Sequence, residues 1–163
     1  MNASAILATP LGLLVLTGSE AGLSAVTFLE DAATAPTVLA AMPACLRPAR
    51  EQLHAYFGHE LRTFILTYAP AFGTDFQRQV WAALPGIGYG RTASYLDVAK
   101  VLNNPKSVRA VGAANGQNPL AIVWPCHRVI GADGSLTGYA GGMHRKRWLL
   151  DFEQPTRQGS LFN

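Results

Sequence analysis

The chain has 163 residues, of which 49% are hydrophobic and 14% are charged. This length and composition are typical of a soluble globular protein with one good core or two small ones, and they exclude a disordered chain. The longest early apolar stretch, LGLLVL, is too short to span a membrane, and no basic residue precedes it as a secretory signal requires. We therefore expect a cytoplasmic protein.

The cysteines and the charges bound the function further. Cys45 and Cys126 are the two cysteines, and they lie too far apart in sequence for a CxxC redox pair, so both are expected to be reduced thiols. Residues 1–73 hold three basic against five acidic residues, whereas residues 74–163 hold ten against five. The basic second half favours an acidic partner, DNA or RNA in the usual case, although such a charge is also common in proteins that bind neither.

The first half of the chain predicts a small α/β arrangement. LGLLVLTGSEAGLSAVTFLE consists of two apolar runs around a Gly/Ser turn, which predicts a β-hairpin. A helix is expected from Pro48, with three large side chains on one face: Leu53, Tyr56 and Phe57. LRTFILTY, at residues 61–68, predicts another strand. The segment APAFGT resembles a linker, which places a domain boundary near Gly73.

The second half begins with predicted helices. TDFQRQVWAAL starts with a threonine cap and is amphipathic, and SYLDVAKVL starts with a capping box of Ser94 and Asp97. The next helix is expected to start with Asn104 as its cap and Pro105 at its first position, so the two form a helix-turn-helix. After Arg109 this helix has almost only small residues. Such a slim helix suits either a minor groove or a tightly packed core.

Cys126 follows an apparent strand, PLAIVW, which Pro125 ends. A thiol at the point where a chain leaves a sheet favours reactivity, whereas a buried, inert thiol is the alternative. The following segment has five glycines between positions 131 and 142 and predicts a shaped loop that is neither a Walker loop nor a GxGxxG turn. A last helix then ends near Glu153. His54 and His59 are expected on the surface, and no metal site is predicted.

Four motifs of the second half occur in a characteristic order: VGAANGQNP, PCHRVIG, TGYAGG and RKRWLLDFE. Together they look like the active-site half of the O6-alkylguanine-DNA alkyltransferases, with a close match over residues 74–153. Residues 1–73 match more loosely, through ATPLG and REQLHAYFGHEL. The chain most resembles the bacterial form without the metal-binding regulatory domain.

The resemblance implies an α/β fold in two domains. Residues 1–73 would form a small N-terminal α/β domain, a ribonuclease H-like sheet with a helix, together with the linker. Residues 74–153 would form a mainly α domain that holds the helix-turn-helix and the active site, and residues 154–163 a flexible tail. A monomer without cofactor is expected.

The activity that the resemblance implies is direct-reversal repair of double-stranded DNA. Cys126 would take the alkyl group, mainly methyl, from O6-alkylguanine and also from O4-alkylthymine, and the protein would be consumed in one turnover. Since a free thiol is only a few per cent ionised at neutral pH, a neighbour must help to remove its proton. The family pattern supplies His127, acting through a water and oriented by Glu153. The alternative for Glu153 is a surface carboxylate at a helix end.

Other roles carry over from the family in the same way. Arg109 matches the residue that fills the space of the flipped nucleotide, and Tyr95 the hydroxyl that gives guanine N3 a proton or hydrogen bond. Asn118 matches the residue that ties the helix-turn-helix to the active-site loop. The remaining positions expected at the DNA are Ala110, Gly112, Ala113, Asn115 and Arg128. Those expected around the base are Pro125, Val129, Tyr139, Ala140 and Gly141, with the Val129 carbonyl accepting from the exocyclic amine and the Ala140 N–H donating to O6.

Trp124 departs from the family pattern, which has a small aliphatic residue before the proline. An indole there leaves the accepted size of the alkyl group open. Two other functions also remain open from the sequence: a non-catalytic lesion-binding protein, which the presence of Cys126 disfavours, and a helix-turn-helix regulator with a structural cysteine.

The C-terminal tail QPTRQGSLFN follows the last predicted helix. Its Gln158, Leu161 and Phe162 resemble the Q-x-S/D-L-F peptide with which bacterial repair proteins dock on the replication sliding clamp. The alternative is that Leu161 and Phe162 fold back on the helical domain.

Overall fold

The computed structural model describes residues 2–31 and 33–154. The chain divides into two compact units, one of Met1–Gly73 with Pro119–Val123 and the other of Thr74–Asn118 with the chain from Trp124 onward. The sequence placed residues 119–123 in the second domain, whereas in the structure they belong to the first unit. The proposed tail residues Gln158, Leu161 and Phe162 lie outside the described residues.

The first unit is built on a three-stranded antiparallel sheet in the order β1-β2-β3. The strands are β1 (Ala3–Thr9), β2 (Gly12–Ser19) and β3 (Gly22–Leu29). The predicted hairpin is confirmed as β2 and β3, which pair antiparallel, while β1 is an additional strand. Gly22, at the turn, has φ +144°, and a Cβ there would lie 2.8 Å from the Thr67 carbonyl oxygen, so the turn requires glycine.

Helix α1 (Arg47–Phe57) belongs to this unit and confirms the helix predicted from Pro48. Its Leu53 and Tyr56 are fully buried, as are Leu14 and Leu16 of β2. The strand predicted at residues 61–68 is wrong. That segment makes one isolated bridge, between Tyr68 and Leu23, and the Gln52 side chain pairs with the backbone of Ile65 in place of a neighbouring strand.

The second unit consists mainly of helices. They are α2 (Asp75–Ala83), α3 (Tyr95–Val101), α4 (Val108–Gly116) and α5 (Met143–Phe152), with a short parallel pair of β4 (Ala93–Ser94) and β5 (Val129–Ile130). Helices α2 and α3 start at the predicted caps Thr74 and Ser94. Ser94 forms the predicted capping box with Asp97, and Thr74 forms one with Gln77 that was not predicted. The apolar core of this unit contains Val80 and Trp81 of α2, Val98 of α3 and Val111 of α4, together with Cys126.

Helices α3 and α4 form the predicted helix-turn-helix, but α4 begins later than expected. Its N-cap is Ser107, and Asn104 and Pro105 lie in the preceding corner, where Ser107 N–H donates to the Asn104 carbonyl. Asn103 adopts φ +58°, the left-handed conformation that asparagine tolerates better than most residues. The corner therefore contains both asparagines, and α4 begins at Val108, after its N-cap Ser107.

The strand predicted before Cys126 is also wrong. Leu120 makes one isolated bridge to Val26, and the chain then turns, with Ile122 at φ +71°. Leu120, Ile122 and Val123 are all buried. This run is apolar because it is packed inside the protein and not because it lies in a sheet.

Candidate active site

Cys126 begins a single 3-10 turn, Cys126–Arg128, directly after Pro125. Its side chain belongs to the apolar core and is 7% exposed. Asn115, near the end of α4, donates from Nδ2 to the Cys126 carbonyl at 3.2 Å, and Asn118 donates to the Trp124 carbonyl at 2.8 Å. The Asn118 side chain is also hydrogen-bonded to the Cys126 thiol. Two asparagines at the end of the helix-turn-helix therefore fix the backbone on both sides of Pro125.

The two residues after the cysteine bind the same carboxylate. His127 Nε2 lies 2.8 Å from Glu153 Oε2, and Arg128 donates to Glu153 from Nε at 2.8 Å and from Nη2 at 3.0 Å. Arg128 also donates to the Ile87 carbonyl at 2.6 Å. All three side chains are buried, so Glu153, the C-cap of α5, is not a surface carboxylate.

The charges of this cluster follow from these contacts. Although burial acts to raise the pKa of Glu153, the hydrogen bonds and charges of His127 and Arg128 lower it to about 2. Burial lowers the pKa of His127, against the opposing effect of Glu153. At neutral pH Glu153 is therefore ionised and paired with Arg128, and His127 is neutral.

The neutral imidazole has a defined tautomer. Because an ionised carboxylate only accepts hydrogen bonds, His127 carries its proton on Nε2 and a lone pair on Nδ1. Nδ1 is buried and has no hydrogen-bond partner among the described residues, and the same is true of Asn115 Oδ1. Such buried acceptors are costly unless something donates to them. The cluster thus presents a free basic nitrogen on the residue next to Cys126.

Neighbouring groups and burial shift the pKa of the Cys126 thiol in opposite directions. Burial raises the pKa of Cys126, whereas the hydrogen bond with Asn118 and the positive charge of Lys146 lower it. Removal of its proton therefore requires the help of neighbouring groups.

Lys146 is a residue that the sequence analysis missed. It lies on α5, is fully buried, and donates from Nζ to the Val129 carbonyl at 2.6 Å and to the Thr137 carbonyl at 2.8 Å. Burial lowers its pKa, although Cys126 acts in the opposite direction. Thr137 in turn is hydrogen-bonded through its hydroxyl to that of Tyr95, the first residue of α3. Hydrogen bonds through Thr137 and Lys146 thus connect Tyr95 to the loop and the loop to Val129.

The predicted loop residues lie in the segment between β5 and α5. Tyr139 is half-buried, Ala140 is exposed, and the buried Gly141 accepts a hydrogen bond from Arg145 through its carbonyl. Trp124 stacks on Trp81 of α2, with ring centroids 5.9 Å apart, and both belong to the core of this unit. The indole that departs from the family pattern is therefore accommodated by packing.

The residues predicted to meet DNA separate into two groups. Arg109, Ala110 and Ala113 are exposed on α4, and Gly112 is half-buried on the same helix. Asn115 and Arg128 are 3% and 5% exposed and their hydrogen bonds are made inside the protein, so the prediction of DNA contacts for these two needs correction. Asn115 positions the cysteine backbone, and Arg128 neutralises Glu153.

Two negative findings concern only residues 2–31 and 33–154. Over those ranges, no three His, Cys, Asp or Glu side chains come together as a metal-binding group. Over the same ranges, no helix has both the length and the apolar character that a membrane span requires. Both cysteines are free thiols.

The fold and the site together define a protein with a small α/β unit and a helix-turn-helix unit that holds a buried cysteine beside a His-Glu-Arg cluster. A family model described as the DNA binding domain of 6-O-methylguanine DNA methyltransferase matches residues 75–155. The methylated-DNA–protein-cysteine methyltransferase of Methanosarcina acetivorans is 47% identical over 151 residues, which cover 91% of this chain and 96% of that protein. The protein of the same name from Mycobacterium tuberculosis is 46% identical over 154 residues, with 94% and 93% covered.

Solved structures agree. The crystal structure of Mycobacterium tuberculosis OGT in complex with DNA is similar at a TM-score of 0.81 and 44% identity, covering 93% of this chain and 92% of that one. The chain belongs to the family of methylated-DNA–protein-cysteine methyltransferases.

Proposed function

We propose that this chain performs direct-reversal DNA repair, in which Cys126 takes the alkyl group, mainly methyl, from O6-alkylguanine in duplex DNA. The observation that carries the proposal is the adjacency of Cys126 to His127, whose Nε2 is bonded to Glu153 while its Nδ1 has no partner among the described residues. Family membership and the DNA complex of the similar Mycobacterium tuberculosis protein support it. The protein is an enzyme that acts once.

The chemistry is a displacement at carbon. The thiolate sulfur of Cys126 forms a bond to the alkyl carbon as the bond from that carbon to O6 breaks, and the electron pair of the broken bond stays with the guanine. The guanine gains one proton, and the thiol has lost one, so the exchange balances without a further reactant. The product is a thioether, which no group in the site can cleave, and each molecule therefore reacts once.

His127 acts as the general base in this proposal. A water between Nδ1 and the thiol would pass the proton of Cys126 to His127, and Glu153 would stabilise the imidazolium that forms. Arg128 opposes the effect of the Glu153 charge on the pKa of His127, so the imidazole stays neutral until it takes the proton of Cys126. Asn118 assists through its hydrogen bond to the thiol.

The helix α4 would place the protein in the minor groove. Its exposed face carries Arg109 beside the small residues Ala110 and Ala113, which allow a close approach to the DNA backbone. Arg109 would enter the base stack and occupy the space of the flipped nucleotide. Flipping is needed because the O6 substituent of a stacked base cannot reach a buried thiol.

The base would be recognised largely by the main chain of the loop. In this proposal the Val129 carbonyl accepts from the exocyclic amine, the Ala140 N–H donates to O6, and the Tyr95 hydroxyl donates to N3. Pro125, Tyr139 and Gly141 shape the pocket. O4-alkylthymine is a second substrate in the same proposal.

Transfer of a radiolabelled methyl group from O6-methylguanine duplex DNA to the protein tests the proposal. Label on the protein, in proportion to the amount of protein, is the expected result. Tight binding to the lesion without label would indicate a non-catalytic lesion-binding protein instead. Equal binding to damaged and undamaged DNA, without label, would indicate a helix-turn-helix regulator.

The remaining expectations about partners and location stay predictions. They are a monomer in the cytoplasm and the docking of Gln158, Leu161 and Phe162 on the sliding clamp. A titration of the purified protein against the clamp tests the docking. Saturable binding that is lost in the double variant Leu161→Ala with Phe162→Ala supports it, and binding that the double variant leaves unchanged contradicts it.

A further inference from the structure

Thr137 makes hydrogen bonds to two residues of the site through two different groups. Its hydroxyl is bonded to the hydroxyl of Tyr95, and its backbone carbonyl accepts from Lys146 Nζ at 2.8 Å. Lys146 also donates to the Val129 carbonyl at 2.6 Å. The buried ammonium group of Lys146 therefore holds the backbone of the glycine-containing loop at Thr137, the same residue whose hydroxyl is bonded to Tyr95.

The aromatic ring of Tyr95 lies against helix α4. A Cβ at Gly112 of α4 would lie 3.7 Å from the Tyr95 ring, so the helix passes close to that ring. The ring is therefore located by α4, and the hydroxyl at its end is located by Thr137. Because threonine is β-branched, its χ1 is restricted, and a fixed backbone then fixes the hydroxyl as well.

We propose that Thr137 is a positioning residue for alkyl transfer, which holds the Tyr95 hydroxyl in place and donates a hydrogen bond to it. This inference rests on the proposed function. When Thr137 Oγ1 donates to Tyr95 Oη, the proton of Tyr95 stays available for guanine N3. A single threonine thus determines in which direction the tyrosine hydroxyl donates.

The hydrogen bond strengthens during the reaction. As the carbon–oxygen bond breaks, the proton of Tyr95 moves to N3 of the leaving guanine, and negative charge grows on Tyr95 Oη. A hydrogen bond to a charged oxygen is stronger than one to a neutral hydroxyl, so the donation from Thr137 stabilises the transition state more than the resting state. The proton that His127 took from Cys126 later restores the tyrosine through solvent, and the protons balance.

Single-turnover rates of methyl transfer from a duplex carrying O6-methylguanine test this role. Thr137→Val keeps the shape of the side chain and removes the hydroxyl, and we expect it to slow transfer by about tenfold, the scale of one hydrogen bond to a group that becomes charged. Thr137→Ser keeps the hydroxyl and is expected to restore most of the rate. Ser135→Ala, which removes a hydroxyl bonded to Asp133 in the same loop, is the matched control and should react like the wild type.

A double-mutant cycle separates positioning from a general effect on the loop. In a Tyr95→Phe background, Thr137→Val is expected to cause no further loss, because the hydroxyl that it serves is absent. An equal loss in both backgrounds, a wild-type rate for Thr137→Val, or a slow Thr137→Ser would each overturn the inference. Thr137→Ala replaces the valine variant if thermal unfolding shows that the latter is misfolded. Absence of transfer in the wild type would instead contradict the proposed function.

Discussion

Arg128 donates two hydrogen bonds to Glu153, at 2.8 and 3.0 Å. Its positive charge acts together with burial, the larger cause, to lower the pKa of the neighbouring His127. A buried carboxylate without a counter-charge would draw a proton onto the imidazole that faces it. With Arg128 in place, Glu153 keeps its negative charge and His127 stays neutral. The order Cys-His-Arg in the sequence thus supplies a nucleophile, its base and a cation that, together with burial, keeps this base unprotonated.

The first prediction concerns stability and pH. The pKa of Glu153 falls from an ordinary value of 4.5 to about 2 in the folded protein, so its contribution is fully present above about pH 4.5 and is lost as the pH falls toward 2. This difference corresponds to about 3 kcal/mol. Glu153→Gln should therefore lower the free energy of unfolding at pH 7 by about that amount, since it leaves Arg128 buried without its counter-charge.

Urea unfolding between pH 7 and pH 3 measures this effect. The wild type should lose stability more steeply on acidification than Glu153→Gln does. Glu51→Gln, which removes an exposed carboxylate from α1, serves as the control and should follow the wild type. Parallel pH profiles for the wild type and Glu153→Gln would show that folding does not lower the pKa of the Glu153 carboxyl.

The second prediction concerns the site of modification. Cys126→Ser should abolish alkyl transfer while lesion binding is preserved, because an alcohol is a far weaker nucleophile at neutral pH. Cys45→Ser, the matched change at the other free thiol, should react at the wild-type rate. Peptide mass spectrometry of reacted protein checks both, and alkylation found on Cys45 would contradict the assignment.

The third prediction concerns the flipping of the nucleotide. Arg109→Ala should slow repair in duplex DNA much more than reaction with free O6-benzylguanine, because only the duplex requires extrusion of a base. Lys106→Ala removes an exposed charge just before α4 and controls for the general attraction to phosphates. Rates on both substrates give the comparison. Equal losses on the two substrates in Arg109→Ala would rule out a role in flipping.

The fourth prediction concerns the buried ammonium group. The positive charge of Lys146 lowers the pKa of Cys126, so Lys146→Met should raise that pKa and move the rise of the transfer rate to higher pH. Lys100→Met, on the exposed side of α3, is the control. Rates measured from pH 6 upward with free O6-benzylguanine check the shift. An unchanged pH profile with a uniformly lower rate would mean that Lys146 acts on the structure of the loop alone.

The starts of α2 and α3 were predicted correctly from local sequence signals, because a helix cap depends only on residues close in sequence. The caps at Thr74 and Ser94 begin α2 and α3 as expected, because the cap satisfies backbone groups within four residues. The two strands predicted at residues 61–68 and 119–124 do not form. An apolar run does not show whether a neighbouring strand is available to pair with it. Residues 120, 122 and 123 are buried although they belong to no strand, and in the segment 61–68 Ile65 is 82% exposed.

The sequence predicted the site residues whose role follows from residue type, such as the cysteine nucleophile and its histidine neighbour. It did not predict the roles that depend on which side chains are buried. The sequence does not show that Arg128 and Asn115 point inward, since arginine and asparagine are mostly exposed in proteins. Lys146 was missed for the same reason. Its spacing from Leu149 and Glu153 on α5 was the available signal, because positions three and seven residues apart share a helix face.

The stacking of Trp81 on Trp124 gives the molecule an optical property. Trp124 precedes the nucleophile by two residues, and the Trp81 indole donates to the Ala114 carbonyl of α4 at 2.8 Å. Indole fluorescence depends on the polarity and packing around the ring, and this pair lies between the helix proposed to bind DNA and the cysteine proposed to react. We therefore expect the emission of this pair to change when Cys126 is alkylated, over a background from the third tryptophan, Trp148, so that spent and unspent protein differ in fluorescence without any dye.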